Sequence, residues 1–161
     1  RPKSISGDNA TTREVMIHAI EWFKEKNIEF QNICCVYPTS IFIKHENISN
    51  ALKILNEKKE ERYIFSASTF THPIQRSFFI NEKGISKMFF PEEFRFRTQD
   101  LEKSYHDAGQ FYIASPKVWI ENPNIFENGI PFVIPRFNSI DIDTIEDWEI
   151  AEIIFELNLK K

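Results

Sequence analysis

The chain reads as an α/β protein built on a doubly wound, mixed sheet. Two observations predict this. Helix-period and strand-type segments alternate as α-β-α-β from the start, an order that right-handed crossovers turn into a sheet covered on both faces. The apolar runs Ile33–Tyr37 and Tyr63–Ala67 are short and continuous, as strands buried on both faces tend to be.

Each element has its own signal. Thr11 and Glu14 have the form of a capping box, and Val15, Met16, Ala19, Ile20 and Phe23 follow at helical spacing. Ile33–Tyr37, closed by Pro38, predicts a buried parallel strand. Ile48, Ala51, Leu52 and Leu55 mark one face of a second helix, and Tyr63–Ala67 the next strand. Arg76–Ile80 and Ile85–Phe89 flank Asn81-Glu82-Lys83-Gly84, the chemistry of a β-hairpin turn. Phe90 to Asp100 is rich in Phe and Arg without periodicity. Residues 76–100 therefore read as an excursion from the main sheet, either a lid or a dimer arm. Gln110–Ala114 resumes a strand, Pro116 opens a short helix, and Phe132-Val133-Ile134 is another strand. In the last helix, Ile145 to Leu159, a stripe of Ile145, Trp148, Ala151, Phe155 and Leu159 predicts docking on the sheet. The whole of 1–161 reads as one domain. An α/β nucleotide-binding domain usually opens on a strand and a phosphate-binding turn. This sequence starts at Arg1-Pro2-Lys3 and reaches a helix first, so it reads as lacking the first β-α unit.

Composition excludes several classes. The charge is −4, with 20 basic and 24 acidic residues interspersed, which argues against a nucleic-acid-binding face. No apolar run is long enough to span a membrane. Cys34 and Cys35 are the only cysteines, and strand neighbours face opposite sides, so a disulfide framework is excluded and a reducing cytoplasm is expected. His18, His45, His72 and His106 show no zinc-type spacing.

The candidate chemistry lies in five places. Asp141 and Asp143, in Ile140–Trp148, would point the same way on a strand, roughly 6.5–7 Å apart, and could hold Mg²⁺. A capping box from Asp143 to Glu146 explains the same residues. Arg1, Asp8, Ala10 and Thr12 approach a helix N-terminus that could hold phosphate, or could simply be capped. Tyr37-Pro38-Thr39-Ser40 follows a strand, where α/β sheets bind ligands, and an ordinary turn looks alike. Arg95 and Arg97, before Gln99 and Asp100, could bracket a carboxylate or phosphate, or form a solvated charge run. Ser104–Tyr112 places His106, Asp107 and Gln110 around Gly109, which permits a close backbone approach or an unusual dihedral.

In this order, the clusters resemble the cytidylyltransferases that activate nine-carbon acidic sugars. The matching elements are Arg1–Ser4, Val15–Ile20, Tyr37–Ser40, Arg97–Asp100, Gly109–Ile113 and Ile140–Trp148. Pro73-Ile74-Gln75-Arg76 and Tyr105–Tyr112 look more like the pseudaminic acid branch than the sialic acid one. The resemblance implies a Rossmann-like fold of the nucleotide-diphospho-sugar transferase type, and a homodimer. Arg1, Ala10 and Thr12 would lie against the cytidine nucleotide of CTP. Tyr37, Thr39, Ser40, Gln75, Asp107, Gln110, Phe111 and Tyr112 would line the sugar site. Arg97, with Arg95 and Gln99 near it, would meet the sugar carboxylate or the phosphates, across a dimer interface. Asp141 and Asp143 would carry Mg²⁺. Two departures stand out. Tyr37 occupies a position where sialic acid enzymes typically carry Gln, and the family's glycine- and lysine-bearing phosphate loop does not occur in the sequence. The isolated segment is accordingly expected to be inactive. Rival readings are a sialic or legionaminic acid cytidylyltransferase, an inactive α/β module, or a nucleotide-sugar glycosyltransferase, whose Asp-x-Asp pair normally falls mid-chain.

Overall fold

The computed structural model describes residues 1–58 and 61–159. Helix α1 (Thr12–Glu25) starts where the sequence says it should. The Thr11 side chain accepts from the Glu14 amide at 3.2 Å, and Glu14 accepts from the Thr11 amide at 2.7 Å. Donation from the Thr11 amide, and then from its hydroxyl, holds the Glu14 carboxyl below the usual carboxylate range. Strand β1 (Ile33–Val36), helix α2 (His45–Lys58) and strand β2 (Ile64–Thr69) follow. The hairpin β3 (Phe78–Ile80) and β4 (Ser86–Met88) forms a separate two-stranded sheet. Its turn needs Gly84 at φ +74, and Asn81 Oδ1 accepts from the amides of Lys83 and Ile85. Strand β5 (Tyr105–Ala114), helix α3 (Pro116–Glu121), strand β6 (Ile130–Val133) and helix α4 (Ile145–Leu159) complete the chain.

The main sheet is mixed, in the order β1-β5-β2-β6. Strand β5 runs antiparallel to both of its neighbours, whereas β2 and β6 are parallel. The expectation of a buried parallel strand at 33–37 is therefore corrected. Strand β1 pairs antiparallel with β5, and its Val36 and Cys34 are exposed. A four-residue apolar run carries no information about direction. Pro131 lies in β6, at the edge of the sheet, where a missing amide costs no ladder bond.

The core lies on both faces of the sheet. Ile20 of α1 and Val118 and Trp119 of α3 pack with Phe65, Ala67, Tyr112 and Ala114 on one face. Ala51 and Leu55 of α2 pack with Ile64, Phe111 and Ile113 on the other. Arg13 ties the first layer together, donating to the carbonyls of Trp119 and Ile120. Helix α4 has the predicted bounds, but the expected docking is not seen. Ala151 is buried, while Ile145, Trp148, Phe155 and Leu159 of the stripe are exposed.

Candidate functional site

The site is built around an irregularity in β5. Phe65 pairs with Tyr112 and Ala67 with Asp107, so Ala108–Phe111 stand opposite the single residue Ser66. Such a bulge strands backbone polar groups, and three side chains answer them. Ser66 Oγ accepts from the amides of Gln110 and Phe111, at 3.0 and 3.2 Å. Ser40 Oγ lies 3.1 and 3.2 Å from the carbonyls of Gly109 and Gln110 and donates there. Asp107 Oδ1 accepts from the Gly109 amide at 3.0 Å. The bulge turns Gly109 into the left-handed region, at φ +62.

The turn places Gly109 under Asp141. A Cβ on Gly109 would lie 3.1 Å from Asp141 Oδ2 and 3.4 Å from its Cγ. The absent side chain is what lets the Asp141 carboxylate rest against the backbone of β5. The Asp141–Asp143 segment is not a strand, as the sequence suggested, because β6 ends at Val133 and a 3₁₀ turn at Arg136–Asn138 intervenes. The expected cap is also displaced by one residue. Thr144 and Asp147 form the box that opens α4, with the Thr144 amide 2.8 Å from Asp147 Oδ2. Asp143 gives only its backbone amide to Asp147, at 3.2 Å. Among the described residues, neither the Asp141 nor the Asp143 carboxylate accepts a hydrogen bond. No group of three His, Cys, Asp or Glu side chains converges on a metal-sized space among them.

Beside the bulge lies a cleft of about 520 Å³, lined by Thr11, Thr12, Tyr37, Asp107, Tyr112 and the 123–126 loop. A smaller cavity of about 380 Å³ shares Asp107 and Phe126 with it. Thr12 at the start of α1 shares a hydrogen bond with the Tyr37 hydroxyl, and the Tyr37 and Tyr112 rings lie 5.2 Å apart. The Tyr112 hydroxyl donates to Asp107 Oδ2. Burial pushes the Tyr112 hydroxyl far above its ordinary range, and the Asp107 carboxylate adds to the shift.

Of the residues singled out in sequence, Thr12, Tyr37, Asp107 and Tyr112 come together in this cleft. Others stand apart. Phe111 is wholly buried against α2 and lines no cleft. Ser40 is buried with its hydroxyl committed to the bulge. Gln110 is buried too; its Nε2 donates to the Asn138 carbonyl, and its Oε1 has no partner among the described residues. Thr39 is half-buried in the turn after β1, and Ala10 closes a turn onto Gly7. Arg1 and Gln99 are exposed. Gln75, in the 3₁₀ turn Ile74–Arg76 just ahead of the hairpin, donates to the Glu102 carbonyl at 3.1 Å. Arg95 sits over the Phe96 ring at 4.8 Å, and Arg97 is exposed. Sequence reading missed Ser66, the brace of the bulge, and the Pro123–Phe126 wall of the cleft. An isolated strand serine and a loop aromatic carry no local signature.

No family model matches the chain. It is 38% identical to the pseudaminic acid cytidylyltransferase of Campylobacter jejuni serotype O:2, over 98% of this chain and 68% of that protein. It is 33% identical, over 94% of its length, to part of the Helicobacter pylori pseudaminic acid cytidylyltransferase and UDP-2,4-diacetamido-2,4,6-trideoxy-beta-L-altropyranose hydrolase, covering 29% of that protein. The CMP-N,N'-diacetyllegionaminic acid synthase of Legionella pneumophila is 30% identical over 98% of this chain and 68% of its own. At 38% identity over 98% of its own length and 68% of that relative's, the chain belongs to the pseudaminic acid cytidylyltransferase family.

Proposed function

We propose that the protein joins CTP to pseudaminic acid, giving CMP-pseudaminic acid and pyrophosphate. The observation that carries this reading is the 38% identity across 98% of the chain with an enzyme of that name. The sugar's anomeric oxygen attacks the α-phosphorus, a new O–P bond forms, and the bond to the β-phosphate breaks. Such transfers depend on positioning and charge neutralisation more than on covalent help from the protein. Thr12, with Arg1 and Ala10, belongs to the nucleotide side, and Tyr37 and Tyr112 to the sugar side.

Asp141 and Asp143 fit Mg²⁺: both are hard oxygen ligands free of hydrogen bonds among the described residues, and Gly109 leaves room for the first. Mg²⁺ usually takes one or two carboxylates and completes its shell with phosphate oxygens and water, so a pair suffices. Bound there, it would neutralise charge on the triphosphate. The fold belongs with the Rossmann-like nucleotide-diphospho-sugar transferases. In a homodimer the excursion would bring Arg97 and Arg95 towards the partner's sugar. Exposed Phe78, Phe79, Ile80, Phe89 and Phe94 there support a covered surface. A cytoplasmic location fits two unpaired thiols and the absence, among the described residues, of a helix able to cross a membrane.

The test is turnover of the whole protein with CTP, Mg²⁺ and a panel of acidic sugars, read as pyrophosphate release and CMP-sugar mass. Pseudaminic acid is the expected substrate. The 30% identity to the legionaminic acid synthase makes that sugar the runner-up. Failure with every nonulosonic acid would overturn the reading.

A further inference from the structure

We infer that Asp107 is a positioning residue, acting through Tyr112 and Gly109 and not by touching substrate. The inference rests on the cytidylyltransferase reading. Asp107 is half-buried in the wall of the cleft, where its charge alone would repel an acidic sugar. Both of its oxygens are committed, Oδ1 to the Gly109 amide and Oδ2 to the Tyr112 hydroxyl. Charge-assisted bonds of this kind are roughly twice as strong as neutral ones and hold both partners in place. The two partners serve different parts of the site. Tyr112 stands beside Tyr37 in the cleft, and Gly109 is the seat of Asp141. The bulge of Ala108–Phe111 is what brings Asp107 within reach of both. One carboxylate thus ties the sugar wall to the acidic pair.

Asp107→Asn separates the two arms. An amide oxygen can still accept from Gly109, but an NH₂ group cannot accept the Tyr112 hydroxyl proton. Expected are a sugar KM raised about tenfold, with kcat nearly unchanged, for both Asp107→Asn and Tyr112→Phe. The double variant should be no worse than either single one. Two readouts need no turnover. A slowly exchanging tyrosine hydroxyl proton in the NMR spectrum should vanish in Tyr112→Phe and in Asp107→Asn. Mn²⁺ affinity, titrated by EPR without substrates, should fall several-fold in Asp107→Ala and hold in Asp107→Asn. A wild-type KM in Asp107→Asn, or effects that multiply in the double variant, would overturn the inference. If the wild-type protein turns over no acidic sugar, the functional reading fails, while the proton resonance and Mn²⁺ titration still decide the role of Asp107.

Discussion

The β5 bulge and the excursion between β2 and β5 carry candidate site residues of opposite character. At the bulge, polar groups are answered from within the chain: Ser66, Ser40 and Asp107 satisfy the backbone, and Tyr112 is locked to Asp107. On the excursion, Arg95 and Arg97 are exposed beside Phe94 and Phe96, which are exposed too. Arg76 is the exception, donating to the carbonyls of Phe94 and Phe96 and so folding the excursion onto itself. The contrast separates groups the fold has preorganised from groups that acquire a role only against a ligand or a second surface. Preorganised donors and dipoles cost no reorganisation at the moment of reaction.

The largest effects should come from the acidic pair whose first member rests on the bulge. Asp141→Ala or Asp143→Ala is expected to lower kcat at least a hundredfold with the melting temperature unmoved, because neither carboxylate supports a hydrogen bond among the described residues. Thr144→Ala should do the reverse, losing about 1 kcal/mol of stability with the cap and leaving turnover nearly intact. Assay and thermal melt run side by side tell metal ligand from cap. If Asp143→Ala unfolds the protein while Thr144→Ala does not, the assignment of the cap is wrong. Gly109→Ala combines both losses. It puts a side chain at φ +62 and 3.1 Å from Asp141 Oδ2, costing roughly 1–3 kcal/mol and displacing the carboxylate. A fully active Gly109→Ala protein would remove Gly109 as the seat.

On the excursion the effects should be smaller and confined to binding. Arg97→Ala is expected to raise KM for sugar or CTP about tenfold with no change in melting temperature. An unchanged kinetic profile would return Arg97 to the solvated surface. Arg76→Ala should instead destabilise the hairpin region, seen as faster amide exchange across β3 and β4.

Local rules explain what could be read in the sequence. The Thr11–Glu14 box, the Asn81–Gly84 turn and Pro116 after Ser115 each act within four residues, so their signal is complete in the segment that carries it. Gly109 likewise announced an unusual dihedral, although it falls inside β5 and not ahead of a strand. The failures are non-local. Nothing in Ile33–Val36 says which strand it pairs with or in which direction. The apolar stripe on α4 fixes a helix but not its burial. Asp143–Glu146 and Thr144–Asp147 are equally good boxes on paper, and the chain trace after the turn at Arg136–Asn138 selects the second. Asp141 and Gly109 lie 32 residues apart in sequence, so no pattern could pair them.

The smallest effect distinguishes the two ends of the acidic segment by pH. Hydrogen bonds from the Thr144 side chain and amide, then from the Asp143 amide, hold the Asp147 carboxyl below its ordinary range. A carboxyl depressed in the folded state contributes stability that is fully present above its unfolded pKa, near 3.9. That contribution disappears as pH falls through the lower, folded value. Melting temperatures of the wild type and Asp147→Asn should therefore differ modestly at neutral pH and converge below about pH 4. A gap that persists unchanged below pH 4, or no gap at neutral pH, would take the cap away from Asp147 and with it weaken the case that Asp143 is free to hold a metal.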